Sequence, residues 1–183
     1  MIIAISGKAG SGKSTIARML SERLKLKHYS IGDLMRERAS QKGMGLLELN
    51  KLAEKDRSID LELDNELKNL GKTKDNFVVD GRLAAFFIPG AKIRIFLDAD
   101  SAVRAQRILN AKRKQEKSTD AKEAMVSIKK REESEKKRYM NFYGADYMDK
   151  KLYNYTADTT SLTPEKIVEG IIKFIESEKS FEN

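Results

Sequence analysis

Residues Gly7-Lys8-Ala9-Gly10-Ser11-Gly12-Lys13-Ser14 read Gly-x-x-x-x-Gly-Lys-Ser, directly after the apolar run Ile2-Ile3-Ala4-Ile5. A buried strand that enters a glycine-rich turn and then a helix is the setting in which this P-loop motif holds a nucleotide. The glycines let several backbone N–H groups converge on one anion, and the helix N-terminus adds its partial positive charge. Lys13 is placed to reach the β- and γ-phosphates of a nucleoside triphosphate, and the Ser14 hydroxyl to ligate Mg²⁺. The plain alternative is a glycine-rich strand-to-helix turn with no ligand. The terminal Lys-Ser and the strand ahead of the motif argue against it.

Two further groups of polar residues end predicted strands. Ser30-Ile31-Gly32-Asp33-Leu34-Met35-Arg36 is similar to the Ser-x-Gly-x-x-x-Arg pattern of nucleoside monophosphate kinases. There the arginine, one helical turn onward, points back at the acceptor phosphate, whose oxygens suit its planar fork. Alone, Ser-x-Gly is also an ordinary helix start. Val78-Val79-Asp80-Gly81-Arg82 puts a carboxylate at a strand tip, fit to contact Mg²⁺ through its water shell. Arg82 next to it is expected to face the acceptor, unless it is a surface arginine in a Gly-Arg turn. Ligands of open α/β sheets bind outside the carboxyl ends of the strands, so three such signals reinforce one another.

Asp80-Gly81-Arg82-Leu83, Ile88-Pro89-Gly90-Ala91-Lys92-Ile93-Arg94-Ile95-Phe96-Leu97 and Val103-Arg104-Ala105-Gln106-Arg107 together resemble the cytidylate kinase family. Arg131-Glu132-Glu133-Ser134-Glu135-Lys136-Lys137-Arg138-Tyr139 resembles the arginine–acid–arginine signature of that family's lid, and its spacing puts Arg131, Glu135 and Arg138 on one helix face. The short length, this segment and Tyr143-Gly144-x-Asp146 are most similar to the archaeal type, and the resemblance covers about residues 1–178. It implies transfer of the γ-phosphoryl group of ATP to CMP (and dCMP) with Mg²⁺. Gly7, Lys8, Ala9, Gly10, Ser11, Gly12, Lys13, Ser14 and Thr15 would hold the ATP phosphates, with Arg107 also on the ATP side and the 158–162 loop (Thr159, Thr160) toward the adenine. Ser30, Gly32, Asp33, Arg36, Asp80, Gly81, Arg82, Arg131 and Glu135 would line the CMP side, and Ser14 and Asp80 would serve the metal. Lys13, Arg82, Arg131 and Arg138 would neutralise charge during transfer, Glu135 keeping Arg131 and Arg138 in register and Arg138 reaching the ATP phosphates as the lid shuts. Asp80 stands where archaeal relatives often have Glu, and Glu135 where bacterial members have Asp. The insert that extends the CMP site of many bacterial members is absent, so their cytosine contacts do not transfer; Arg57, Asp60 and Asp64 are the candidates for reading the base.

The elements that must carry these residues alternate. Ile2–Ser6, His28–Ser30, Phe77–Asp80, Ile93–Leu97 and, more weakly, Leu152–Thr156 read as strands, with helical patterns between them. That order predicts a five-stranded parallel sheet with helices on both faces. Thr163 is the expected N-cap of a last helix, Pro164 its first residue, and Ile167, Ile171, Ile172 and Ile175 its buried face. The chain divides into a core (1–31, 73–107, 141–183), an acceptor-binding segment 32–72 with two or three helices, and a charged helical lid 108–140. Ser118 or Thr119 is expected to cap the second lid helix, and Lys112, Arg113 and Lys114 to lie off the arginine face. With few apolar residues to pack, 108–138 is expected to be mobile without ligand.

The net charge is +8. Arg104 to Arg138 holds 13 Lys and Arg against 6 Asp and Glu, so nearly all the excess sits in one segment, while 33–75 is close to neutral. A single basic segment suits closure over polyphosphate; a nucleic-acid arm is the rival reading. Aromatics are only 7% of residues, so the segment lacks the stacking platform that single strands require. A regulatory nucleotide-binding module would need no acceptor-side arginines, and an adenylate or uridylate kinase of the same fold would differ only in its base contacts. With no cysteine, disulfides and thiolate metal sites are excluded, and a reducing cytoplasm is the expected compartment. No apolar run reaches the ~18 residues of a membrane span, and the chain enters a strand too soon for a signal peptide. A monomer acting on small nucleotides is expected. His28, the one histidine, is expected to be a partly buried strand residue, not a catalyst.

Overall fold

Strand β1 (Ile2–Gly7) shows how the sheet is buried on both faces. Ile3 and Ile5 point into one apolar layer and Ile2 and Ala4 into the other. The computed structural model of the chain describes residues 1–111 and 120–181. Five parallel strands, β1, β2 (Lys27–Ser30), β3 (Phe77–Asp80), β4 (Ile93–Asp98) and β5 (Tyr155–Asp158), lie in the order β2-β3-β1-β4-β5. Ile5 pairs with Asp80 on one side and Ile95 on the other, so the ends of β1, β3 and β4 come level beneath the P-loop.

Helices α1 (Lys13–Leu24) and α8 (Pro164–Phe181) cover one face through Ile16, Leu20, Ile167, Ile171 and Ile175. Ile172 packs at the edge of this layer, and the Thr163 hydroxyl accepts from Lys166 N–H at 3.4 Å. On the other face lie α4 (Ser58–Thr73) and the short α5 (Ala84–Phe87), whose Leu67, Ala84 and Ala85 meet Phe77 and Val79. The expected 32–72 insertion is three helices, α2 (Ile31–Gln41), α3 (Leu46–Ala53) and α4, with a core of their own around Met35, Leu46, Leu49 and Leu63. β5 starts later than expected. Lys150–Leu152 instead forms a 3₁₀ turn started by Asp149, whose carboxylate accepts from Lys151 N–H.

Two helices carry the charged segment, α6 (Ser101–Asn110) and α7 (Ala121–Tyr143). Ser118 and Thr119, the expected caps, and Lys112, Arg113 and Lys114 lie outside the described residues; the cap is Asp120, which accepts from Glu123 N–H at 2.8 Å. The apolar packing is also fuller than the composition suggested. Ile108 of α6 meets Ala124 and Ile128 of α7 over Ala9 of the P-loop, and Tyr139 joins Phe96 and Tyr147 against the sheet. Among the described residues no helix is long and apolar enough to cross a membrane.

Candidate active site

Where β1 ends, the backbone turns sharply. Gly7 leaves no room for a side chain, since a Cβ there would lie 2.0 Å from the Leu97 carbonyl oxygen. Gly10 adopts φ +76° with Arg104 backbone at 2.5 Å from its missing Cβ, so both conformation and space demand glycine. α1 then begins with no side-chain cap and no acid in its first turn, which leaves its N–H groups and positive end open to an anion. Lys13 donates to the Lys8 carbonyl at 2.6 Å. Burial, then the neighbouring Arg82, hold its pKa well below the ordinary lysine value, against the pull of Asp80. A bound phosphate would add negative charge beside Lys13.

Opposite the P-loop, one carboxylate organises two arginines. Glu135 of α7 accepts from Nε of Arg82 at 2.8 Å on one oxygen and from Nε of Arg131 at 2.9 Å on the other. Burial would raise the pKa of Glu135, but Arg82 and Arg131 outweigh it and bring it down to about 2. Nη1 of Arg82 donates to the Gly7 carbonyl at 3.1 Å, while its buried Nη2 has no hydrogen-bond partner. An orphaned guanidinium nitrogen costs free energy until an acceptor arrives, and a phosphate oxygen is such an acceptor.

A cavity of about 470 Å³ opens between these groups and is lined by Lys13, Ser14, Arg36, Asp80, Arg82 and Arg131, among others. At its far end stand Asp60 and Asp64 of α4. Nε of Arg138 approaches Asp60 Oδ2 to 2.6 Å, yet neither atom makes an aligned hydrogen bond. Burial raises the pKa of Asp60 to about 6 despite that arginine, and burial raises Asp64 against a hydrogen bond from Tyr143. At the opposite end Arg107 fixes the loop after β5, donating to the Thr159 hydroxyl at 2.9 Å and the Thr159 carbonyl at 2.7 Å. Leu162 and Pro164 line the wall beside it.

Residues 2–161 match the cytidylate kinase-like family. Cytidylate kinase of Sulfurisphaera tokodaii is 38% identical over 179 residues, which cover 96% of this chain and 97% of that one. This chain belongs to the cytidylate kinase-like family. Among solved structures, an uncharacterised protein from Eubacterium ventriosum is 25% identical with a TM-score of 0.71, covering 97% of this chain and 99% of its own. A shikimate kinase from Acinetobacter baumannii, 17% identical, shares the fold with a TM-score of 0.62, covering 97% of this chain and 94% of its own.

Within this kinase fold the structure gathers most of the expected residues and turns several elsewhere. Ala9 to Thr15, Gly32, Arg36, Asp60, Asp64, Asp80, Gly81, Arg82, Arg107, Arg131, Glu135 and Thr159 line the one cavity described. Gly7 faces Arg82 through its carbonyl, and Lys8 is drawn off to Asp98 at 2.8 Å. The Ser30 hydroxyl caps α2 and lies 3.4 Å from Asp80, and Asp33 pairs with Arg36. Thr160 binds Asp158 and Asp100 backbone, away from the cavity. Arg57 stacks over Phe142, 5.3 Å from the ring centroid, so base reading by it is not what this arrangement supports. Arg138 is the main departure. Only 1% exposed, it donates to the Asn50 carbonyl at 2.9 Å and pairs with Asp60, so it faces α3 and α4 and not the P-loop. Glu135 accordingly registers Arg131 with Arg82, since buried acid and amide partners on α3 and α4 claim Arg138. Sequence reasoning missed Asn50, whose one signal is a polar residue inside the apolar stripe Leu46, Leu49, Ala53.

Proposed function

We propose that this protein passes the γ-phosphoryl group of ATP to CMP, and to dCMP, giving ADP and the nucleoside diphosphate. A CMP phosphate oxygen attacks the γ-phosphorus as the bond to the β–γ bridging oxygen breaks, and ADP leaves with that oxygen. The observation that carries this reading is the convergence of Lys13, Arg82 and Arg131 on one cavity, with Arg36 on the acceptor side and two buried carboxylates at its end. A phosphate monoester with a second pKa near ~6 is largely dianionic at neutral pH, so no general base is required. Rate then comes from positioning and charge neutralisation.

Ser14 and Asp80 fit Mg²⁺. Their contact, hydroxyl on carboxylate at 2.8 Å, is an all-oxygen set, and among the described residues no group of three or more His, Cys, Asp or Glu could cage a metal. Mg²⁺ favours such partial sets, completed by water and substrate phosphates, and would supply further charge neutralisation on them. Asp60 and Asp64 can accept from the exocyclic amine of cytosine, which uracil replaces with an acceptor oxygen. The 158–162 loop and Arg107 would receive the adenine. A monomer is part of the reading, and a cysteine-free sequence suits the cytoplasm. ADP release measured with ATP-Mg²⁺ against CMP, dCMP, UMP, AMP and GMP tests the reading. CMP and dCMP should far outpace the purine acceptors; AMP as best acceptor would replace it with adenylate kinase.

A further inference from the structure

His28 stands on β2, two residues before Ser30, outside the set that lines the cavity. Its Nε2 lies 2.7 Å from Oδ1 of Asp80, with side-chain exposures of 18% and 2%. The parallel register sets Ser30 opposite Asp80 and His28 opposite Val78, so the imidazole reaches the carboxylate diagonally on the α1 face. A carboxylate accepts, so Nε2 is the ring nitrogen that carries hydrogen. The second oxygen, Oδ2, accepts from Ser14 at 2.8 Å and lies 3.4 Å from the Ser30 hydroxyl. The β3 backbone is fixed between β1 and β2, which leaves only side-chain rotation to Asp80. Donors on both oxygens remove that freedom, and His28 is the donor on the side away from the P-loop.

We propose that His28 is a positioning residue for phosphoryl transfer: its Nε2–H holds Oδ1 of Asp80 so that Oδ2 stays turned to Ser14 and the metal-bearing end of the P-loop. The inference rests on the reading of Ser14 and Asp80 as the Mg²⁺ pair. A histidine that merely filled space on an edge strand would need no bond to a buried carboxylate. Outer partners that orient a metal-contacting group typically contribute 10–100-fold to metal affinity.

His28→Phe keeps a ring and deletes the donor, whereas His28→Gln offers a donor at similar reach. Mn²⁺ binding to the enzyme–ADP complex, followed by electron paramagnetic resonance, reads the metal site without turnover. His28→Phe should weaken Mn²⁺ about tenfold or more, His28→Gln should recover most of it, and metal-free ADP should bind as in the parent. The Mg²⁺ concentration for half-maximal activity should rise in step, with the KM for CMP unchanged. A folded His28→Phe protein with parental Mn²⁺ affinity would overturn the proposal. So would equal losses of metal-free ADP and Mn²⁺ binding, or a His28→Gln variant no better than His28→Phe, since either marks a purely structural role. CMP takes no part in the Mn²⁺ measurement, so an error in the acceptor assignment leaves the result intact.

Discussion

Lys13 and Asp60 are each held in a state that a ligand would relieve. Lys13 is buried beside Arg82 and donates to a P-loop carbonyl. Lys13→Ala should therefore cost on the order of a hundredfold or more in turnover, because the lost charge acts on the transition state. The melting temperature should hold, since the ammonium faces the cavity; near-parental turnover would place the phosphates elsewhere. Asp60, with its pKa raised to about 6, is charged at neutral pH and takes up a proton as the pH falls below that value. Under the proposed base reading, charged Asp60 would accept from the cytosine amine, and protonated it would donate to the uracil oxygen. The ratio of kcat/KM for CMP over UMP should therefore fall between pH 7 and 5, and protonation of the acceptor phosphate cancels in that ratio. A ratio that stays flat across this range would remove Asp60 from base recognition.

At the scale of elements, α7 is the part whose behaviour depends most on tertiary partners. Its i, i+4 and i+7 spacing was legible, as was the pairing of Arg131 with Glu135. The destination of Arg138 was not, because Asn50 and Asp60 belong to helices 78 to 88 residues earlier in the chain and nothing local marks them as its partners. The same holds for Arg82 on Glu135, which joins a strand tip to α7 across 53 residues. Removing one member of a buried ion network leaves the others uncompensated at about 3–5 kcal/mol. Glu135→Ala should thus lower the melting temperature by about 6–20 °C for a chain of this size and depress turnover through misplaced arginines. Glu135 also has a pH signature. Its folded pKa, about 2, lies below the ordinary 4.5, so its stabilisation is complete above that ordinary value and is lost as the pH falls toward 2. Urea titrations at pH 6 and pH 3 should show a smaller acid loss in Glu135→Gln than in the parent; equal losses would mean that the arginines do not bind Glu135 in solution.

For the whole molecule, the alternation of strand and helix and the run of motifs at strand ends made the sheet, and the gathering of the P-loop, Asp80 and Arg82 around one cavity, readable, because backbone geometry there depends on short local signals. The end of the cavity formed by α4 was less so. Its carboxylates Asp60 and Asp64 sit among the charged residues of α4, and what sets them apart from Glu62 and Glu66 is that they face inward, a fact fixed by packing. The basic segment poses the remaining question at this scale. The first half of α7 rests on α6 and Ala9, and the second half carries Glu135 and Tyr139 into the body, so closure would pivot the charged portion over the P-loop. Hydrogen exchange should then show residues 121–133 gaining protection when ATP and CMP, or a bisubstrate analogue, are present together, and little with either alone. Around Ser134, Glu135, Arg138 and Tyr139, already buried against α3 and the sheet, protection should be high without ligand. Arg131→Ala should depress turnover about a hundredfold, whereas Lys129 and Lys130, both exposed, should be replaceable with little effect. A nucleic-acid arm predicts the reverse: protection by RNA, affinity falling steeply with salt, and losses shared among all the basic residues. RNA-induced protection of α7 with no response to the paired nucleotides would make this segment a binding arm and leave the kinase reaction without its lid.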